Sequence, residues 1–263
     1  MILLFKKIMI PNELKPKNHF NLVRLGKDND GGYLICENSI KDSSCLVSFG
    51  ISDDYSFEED FRNRNNNKVL AFDPTVTNKF FLKKIIISLI QFKFNLFYNN
   101  FFNYLKFKKF FNNKENFFFK KKIGKGGSIF LSYMTIDDII KLTEKESQIF
   151  FKIDIEGSEY RILDQIKKNY KKINGMVIEF HDFDLHHNLI HKFIKNFELN
   201  LVHLHVNNFG FINEEGLPSV VELTFVSKKF FKNDLLNDKI YPIESLDMPC
   251  NKDEVDHNIT FYQ

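Results

Sequence analysis

Short apolar runs that stop abruptly in polar residues recur along the chain, separated by stretches with helical spacing. The run 45–49 closes on Gly50, and the run 69–72 closes on Asp73 and Pro74. Residues 149–153 end in Asp154, Ile155 and Glu156, and residues 175–180 carry Glu179 and are followed by His181. Such near-continuous apolar stretches, rich in β-branched and aromatic residues, predict strands buried on both faces of a parallel sheet. Between them, Phe57 with Phe61, Ile139 with Ile140 and Leu142, Ile162 with Leu163 and Ile166, and Leu189 with Phe193, Ile194 and Phe197 predict amphipathic helices. Strand, helix, strand within about 30 residues is a βαβ unit, whose crossover is right-handed. The segments 201–206 and 220–226 alternate instead, which predicts an antiparallel edge pair.

Local signals fill in the rest. The Asn29-Asp30-Gly31-Gly32 cluster predicts a tight turn, and Ser56 or Asp54 is the expected N-cap of the first helix. Thr135 and Asp138 form a capping-box-like helix start. Residues 117–123 read as a strand, 129–132 as a short extended piece, and the tail 228–263, with Pro242 and Pro249, as irregular. The whole, residues 1–263, reads as one α/β domain with acids gathered at the carboxyl ends of its strands, where open sheets of this kind bind ligands.

Residues 77–116 break this rhythm and read as a Lys/Phe-rich helical insertion. The stretch 79–122 holds eleven lysines against one acid, Glu115, while Phe80, Ile87, Phe94, Phe97 and Phe101 recur at helical spacing. One reading packs these helices on the domain with lysines in water. The other is a basic, aromatic surface for peripheral contact with anionic lipid or a lipid-linked acceptor.

Composition narrows the function classes. A net charge of +3 is too small to argue for nucleic acid, and no regular nucleic-acid motif is present. Cys36, Cys45 and Cys250 are scattered, which indicates neither a disulfide framework nor a zinc knuckle and fits a reducing cytoplasm. The opening apolar run of five residues is too short for a signal peptide, and Lys6 and Lys7 follow it. No apolar run reaches membrane-spanning length. The 32 Phe and absence of Trp accompany abundant Lys, Asn and Ile, a bias of AT-rich codons rather than of chemistry.

An acid at the tip of the second strand, Asp73, is suited to the two hydroxyls of a ribose, since a carboxylate accepts hydrogen bonds in a fork. Glycine at position 50 lets the backbone approach a ligand. The loop Gly50-Ile51-Ser52-Asp53-Asp54 lacks the GxGxxG cradle for a pyrophosphate, and its acids would repel one. A ribose-containing, phosphate-free and positively charged cofactor fits better, and S-adenosyl-L-methionine has those properties.

Residues 49–58 (Phe-Gly-Ile-Ser-Asp-Asp-Tyr-Ser-Phe-Glu), Phe72-Asp73-Pro74, and 152–159 (Lys-Ile-Asp-Ile-Glu-Gly-Ser-Glu) resemble, in that order, the FkbM-type family of class I S-adenosylmethionine-dependent methyltransferases. Asn29-Asp30-Gly31-Gly32-Tyr33 resembles an N-terminal motif of the same group; the second glycine of the common GxGxG pattern is missing. The resemblance implies a Rossmann-like, seven-stranded, mostly parallel sheet of order 3-2-1-4-5-7-6, helices on both faces, and methylation of a hydroxyl on a sugar or glycan precursor. It implies a cofactor set of Phe49, Gly50, Ile51 and Asp53 around the first strand end, Asp73 and Pro74 after the second, Asp154, and Asp30 near the ammonium group.

The acceptor must lose a proton as it attacks, so a histidine or carboxylate base is needed. His181 is the first candidate with Glu179 orienting it, His205 the second, and Asp154 and Glu156 lie beside donor and acceptor. Asp154, Glu156, Glu179, His181 and His205 could instead gather a divalent metal. Two rivals therefore stand beside the methyltransferase: a metal-dependent phosphoester hydrolase, and a glycan-binding or scaffold protein on a methyltransferase fold.

Overall fold

The computed structural model describes residues 8–126, 133–231 and 237–262; the extended piece expected at 129–132 lies outside them. Seven strands form the central sheet: β1 (Cys45–Phe49), β2 (Lys68–Phe72), β3 (Asn116–Phe119), β4 (Ile149–Ile153), β5 (Ile173–Phe180), β6 (Leu199–Val206) and β7 (Val221–Ser227). Their order is 3-2-1-4-5-7-6, with β7 antiparallel to both β5 and β6. That is the Rossmann-like strand order the resemblance implies, and the alternating segments at 199–206 and 221–227 form its antiparallel edge.

Helices α1 (Ser56–Asn65), α2 (Asn78–Ile90), α3 (Phe94–Phe111), α4 (Ile136–Leu142), α5 (Leu163–Lys168) and α6 (Phe183–Lys195) connect the strands. One sheet face buries Phe49, Phe151 and Ile153 under α4, α5 and α6 through Ile136, Ile139, Ile166 and Ile190. The other buries Leu46, Phe150 and Val177 under α1 and a hairpin of strands Leu22–Leu25 and Tyr33–Cys36. Successive strand residues thus enter opposite cores, as the pleat demands, and both faces are apolar.

Two local details differ from expectation. The N-cap of α1 is Tyr55; Asp54 acts from one residue further out, accepting the Ser56 N–H at 3.1 Å. The tail is not irregular throughout, since strand Ile259–Tyr262 pairs in parallel with Ile8–Pro11. Its intervening residues fold back over β6 and β7, where Asp247 meets His203 at 3.1 Å. Thr135 and Asp138 make the full capping box.

Register decides where the chemistry sits. Phe49 is level with both Phe72 and Ile153, and Ile153 with Ile178. The next residue of each strand or loop, Gly50, Asp73, Asp154 and Glu179, therefore lies in one row across the sheet's carboxyl edge. The antiparallel partners continue that row to Glu222 and His205.

Candidate active site

The row opens into a cavity of about 480 Å³ whose lining includes Gly50, Ser52, Asp73, Pro74, Asp154 and Glu156. Lys121, Lys122 and Tyr133 form another part of its wall. Gly50 has φ +70°, and a Cβ there would stand 1.6 Å from the Asp154 carbonyl oxygen, so only glycine permits this contact between the ends of β1 and β4. Asp73 is buried: Oδ2 accepts the Ser52 N–H at 2.9 Å, while Oδ1 accepts the Thr75 N–H at 2.7 Å and the Thr75 hydroxyl at 2.6 Å. Two bonds fill Oδ1, whereas Oδ2 keeps a free lone pair beside the cavity.

His181 follows the end of β5 and is partly exposed. Its Nδ1 lies 3.1 Å from Glu159 Oε1, and its Nε2 faces Glu156 Oε2 at 3.5 Å and Asp154 Oδ1 at 4.0 Å. Glu159, fully buried, also accepts the Ile155 and Gly157 N–H groups at 3.0 and 3.3 Å, so one carboxylate oxygen ties the loop after β4 to the imidazole. Tyr160 donates to the His181 carbonyl at 2.5 Å. Glu156 and Asp182 hold left-handed backbone at φ +52°, a conformation that non-glycine residues adopt at a cost and that frames the histidine on both loops.

A buried charged group lies behind this edge. Lys152 sits within β4, donates to the Gly50 carbonyl at 2.7 Å and approaches Asp154 Oδ2 at 3.6 Å under the ring of Tyr33. The Tyr33 hydroxyl meets Glu179 Oε2 at 3.0 Å and Asp154 Oδ2 at 3.4 Å, and Asn207 donates to Glu179 Oε1 at 2.9 Å. Burial, followed by the charges of Asp154 and Glu222, raises the Glu179 carboxyl well above the usual carboxylate range. Burial alone would lower His181, but the Glu159 hydrogen bond and the surrounding carboxylates outweigh it and raise the imidazole. Burial likewise opposes the charge on Lys152, and Asp154, Glu58 and Glu179 overcome it. Asp30, expected in the cofactor set, is exposed and does not line this cavity; partial desolvation and the charges of Asp154 and Glu222 hold it above its ordinary range.

Several expected site residues are placed elsewhere. Phe49 points into the core beneath the sheet, because it is the last inward residue of its strand. Ile51 joins a cluster with Tyr55 and Phe81 at the foot of the insertion. Asp53 turns the same way and pairs with Lys84 at 2.5 Å, since the left-handed backbone at Gly50 and Ser52 swings the loop outward. His205 does not reach the cavity: Glu222 holds Nδ1 at 3.1 Å and Asp256 of the folded-back tail holds Nε2 at 3.0 Å. Glu179, expected to orient His181, stands 3.8 Å from Nε2, and Glu159 makes the closer contact.

Lys152, Tyr33 and Glu159 have no role in the sequence reading. The available signal was Lys152 itself, because a lysine inside an apolar strand requires buried acids around it. Of the candidate metal donors, Asp154, Glu156 and His181 bring one ligand atom each within 4.8 Å of one another, while His205 falls in a separate buried group with Glu222 and Cys250.

The family model for the methyltransferase FkbM domain matches residues 29–201. No curated protein matches the chain. Similar solved structures include a protein from Pyrococcus horikoshii described as an RNA methyltransferase, at 8% identity over 72% of this chain and 76% of that one, TM-score 0.36. Another is an O-methyltransferase from Bacillus cereus in complex with SAH, at 11% identity over 72% and 76% of the two chains, TM-score 0.32.

Proposed function

The chain belongs to the FkbM methyltransferase family, and from that premise we propose that it uses S-adenosyl-L-methionine to O-methylate a hydroxyl of a sugar or glycan precursor in the cytoplasm. The observation that carries the reading is that Gly50, Asp73 and Asp154 line one cavity, with His181 Nε2 4.0 Å from Asp154.

S-adenosylmethionine, when bound, supplies an electrophilic methyl group. The residues present suit it. A cavity of about 480 Å³ lies in the range used by small ligands. Asp73 Oδ2 offers a lone pair to a ribose hydroxyl, and the bare Gly50 leaves room for close approach. Asp154 and Glu156 favour a cationic group, whereas Lys121 and Lys122 suit an anionic one.

His181 is the base in this reading. Glu159 engages Nδ1, which leaves Nε2 to take the acceptor's hydroxyl proton. The imidazolium so formed is stabilised by Asp154, Glu156 and Glu159 around it. Holding the acceptor hydroxyl between these carboxylates offsets the entropic barrier of bringing two reactants together.

Calorimetric titration with S-adenosylmethionine and its demethylated product tests the first half. Binding by the native chain and its loss in Asp73→Ala are the expected results; no heat with either ligand would end the proposal. A gain of one methyl in the mass of a sugar nucleotide or glycan tests the second half.

The close approach of Asp154, Glu156 and His181 favours a second reading, in which these three side chains would hold a divalent cation that acidifies the acceptor hydroxyl, and His181 would be a ligand instead of the base. Turnover that stops with a chelator and returns with magnesium or manganese would support it.

A further inference from the structure

α2 and α3 form an antiparallel hairpin that meets the domain at its foot. There Phe81 and Phe107 enter a cluster with Ile51, Tyr55 and Val76, and Asn103 donates to the Asp53 carbonyl at 2.9 Å. Further out, Asn100 donates to the Lys84 carbonyl at 3.3 Å. Past that rung the apolar side chains are mostly uncovered: Ile86, Ile90, Phe92, Phe94, Leu96 and Tyr98 are all exposed, Ile90 by 68% and Phe92 by 78%. Soluble chains rarely present so continuous an apolar surface unless something covers it.

The charges are arranged to match. Between residues 85 and 105 the only charged side chain is Lys93, whereas Lys79, Lys83 and Lys84 precede this stretch and Lys106, Lys108 and Lys109 follow it. The hairpin therefore has an apolar end and a lysine-rich foot. Six residues of each helix lie beyond the Lys84–Asn100 rung, a reach of about 9 Å at 1.5 Å per residue. Amphipathic elements bury to roughly 5–10 Å at the boundary of headgroups and acyl chains. No helix among the described residues is long and apolar enough to cross a membrane, so the geometry is that of contact with one leaflet.

We propose that the hairpin docks the protein on an anionic bilayer, with Phe92 and Phe94 of its tip at the boundary of headgroups and acyl chains, the stem of Lys93 reaching back to the phosphates, and the foot lysines Lys79, Lys83 and Lys106 facing the anionic surface. A second copy of the chain fits less well as the covering surface. A two-fold contact through this hairpin would set lysines against lysines, and no acid occurs between residues 79 and 114 to relieve them. Docking also holds the cavity beside the bilayer, because Asp53, which anchors the foot through Lys84, follows the cavity residue Ser52.

The test is co-sedimentation of the full chain with vesicles of phosphatidylcholine alone or mixed with phosphatidylglycerol. Binding to the mixed vesicles only, weakened by salt, is expected. Phe92→Asp combined with Phe94→Asp should lower the partition by about a hundredfold, roughly tenfold per buried aromatic. Lys79→Gln, Lys83→Gln and Lys106→Gln should each lower it about fivefold. Circular dichroism of each variant reports that the fold is kept, independently of any reaction. Failure to bind the mixed vesicles, or binding indifferent to the double aspartate variant, overturns the proposal. So does a dimer in sedimentation equilibrium that this variant splits.

Discussion

The carboxyl edge of the sheet and the hairpin Asn78–Phe111 are built on opposite terms. At the sheet edge charged groups are buried, yet Asp73, Lys152, Glu159 and Glu179 each hold two or more partners within the protein. At the hairpin tip apolar groups are exposed and find few. A polar network paired largely within the protein, with Glu58 Oε2 and Glu159 Oε2 buried but without a partner, is held in place and already shaped for a small ligand. An apolar end without cover is complete only against something else. Mutations should therefore cost turnover or fold stability at the edge, and at the tip neither of these but only binding to the covering surface.

The largest effect is expected at His181. His181→Gln should lower turnover by about 10²–10⁴-fold, the usual worth of a general base, with cofactor affinity changed little. Single-turnover rates beside calorimetry would show it, and an unchanged rate would remove His181 from the mechanism. Lys152→Ala comes next. It leaves Asp154, Glu58 and Glu179 without their central cation, and breaking a buried pair costs about 3–5 kcal/mol. Urea denaturation measures this directly.

Glu159→Gln should act through pH. Because the carboxylates raise His181, the imidazole keeps its proton above the ordinary histidine range, and base catalysis should rise with pH through that raised value. The stability that the raised pKa confers runs the other way. It is full below the unfolded histidine pKa and is lost as pH climbs through the folded one. Removing the Glu159 charge should move the rate profile about one unit towards acid, or roughly 1.4 kcal/mol. A profile that stays in place would mean that Glu159 only supports the loop.

The smallest effect sharpens the contrast. Phe150→Ala, in the core, should cost about 3–5 kcal/mol, whereas Phe92→Ala at the tip should stay within about 0.5 kcal/mol in the same denaturation experiment. If the two were similar, the tip would not be the uncovered surface described above.

Much of the site is legible in one dimension because strands leave sharp marks. An apolar run that ends in Gly50, Asp73 or Asp154 states both the strand and its ligand-facing end, and parallel neighbours in register bring those ends together. The loops that follow leave no such mark. Ile51 and Asp53 lie within a few residues of Gly50, yet two left-handed residues turn them towards the insertion. His205 ends a strand as visibly as Glu179 does, but Asp256, 51 positions later, closes over it.

The order of strands and helices, the acids at the strand ends and the apolar, lysine-flanked character of the hairpin follow from the chain alone, since periodicity and burial preference are local properties. Which carboxylate engages His181, where Lys152 finds its counter-charges and which apolar residues stay uncovered were decided only by the tertiary structure. Those outcomes depend on contacts between segments far apart in sequence, where a change in loop conformation or strand register exchanges one partner for another.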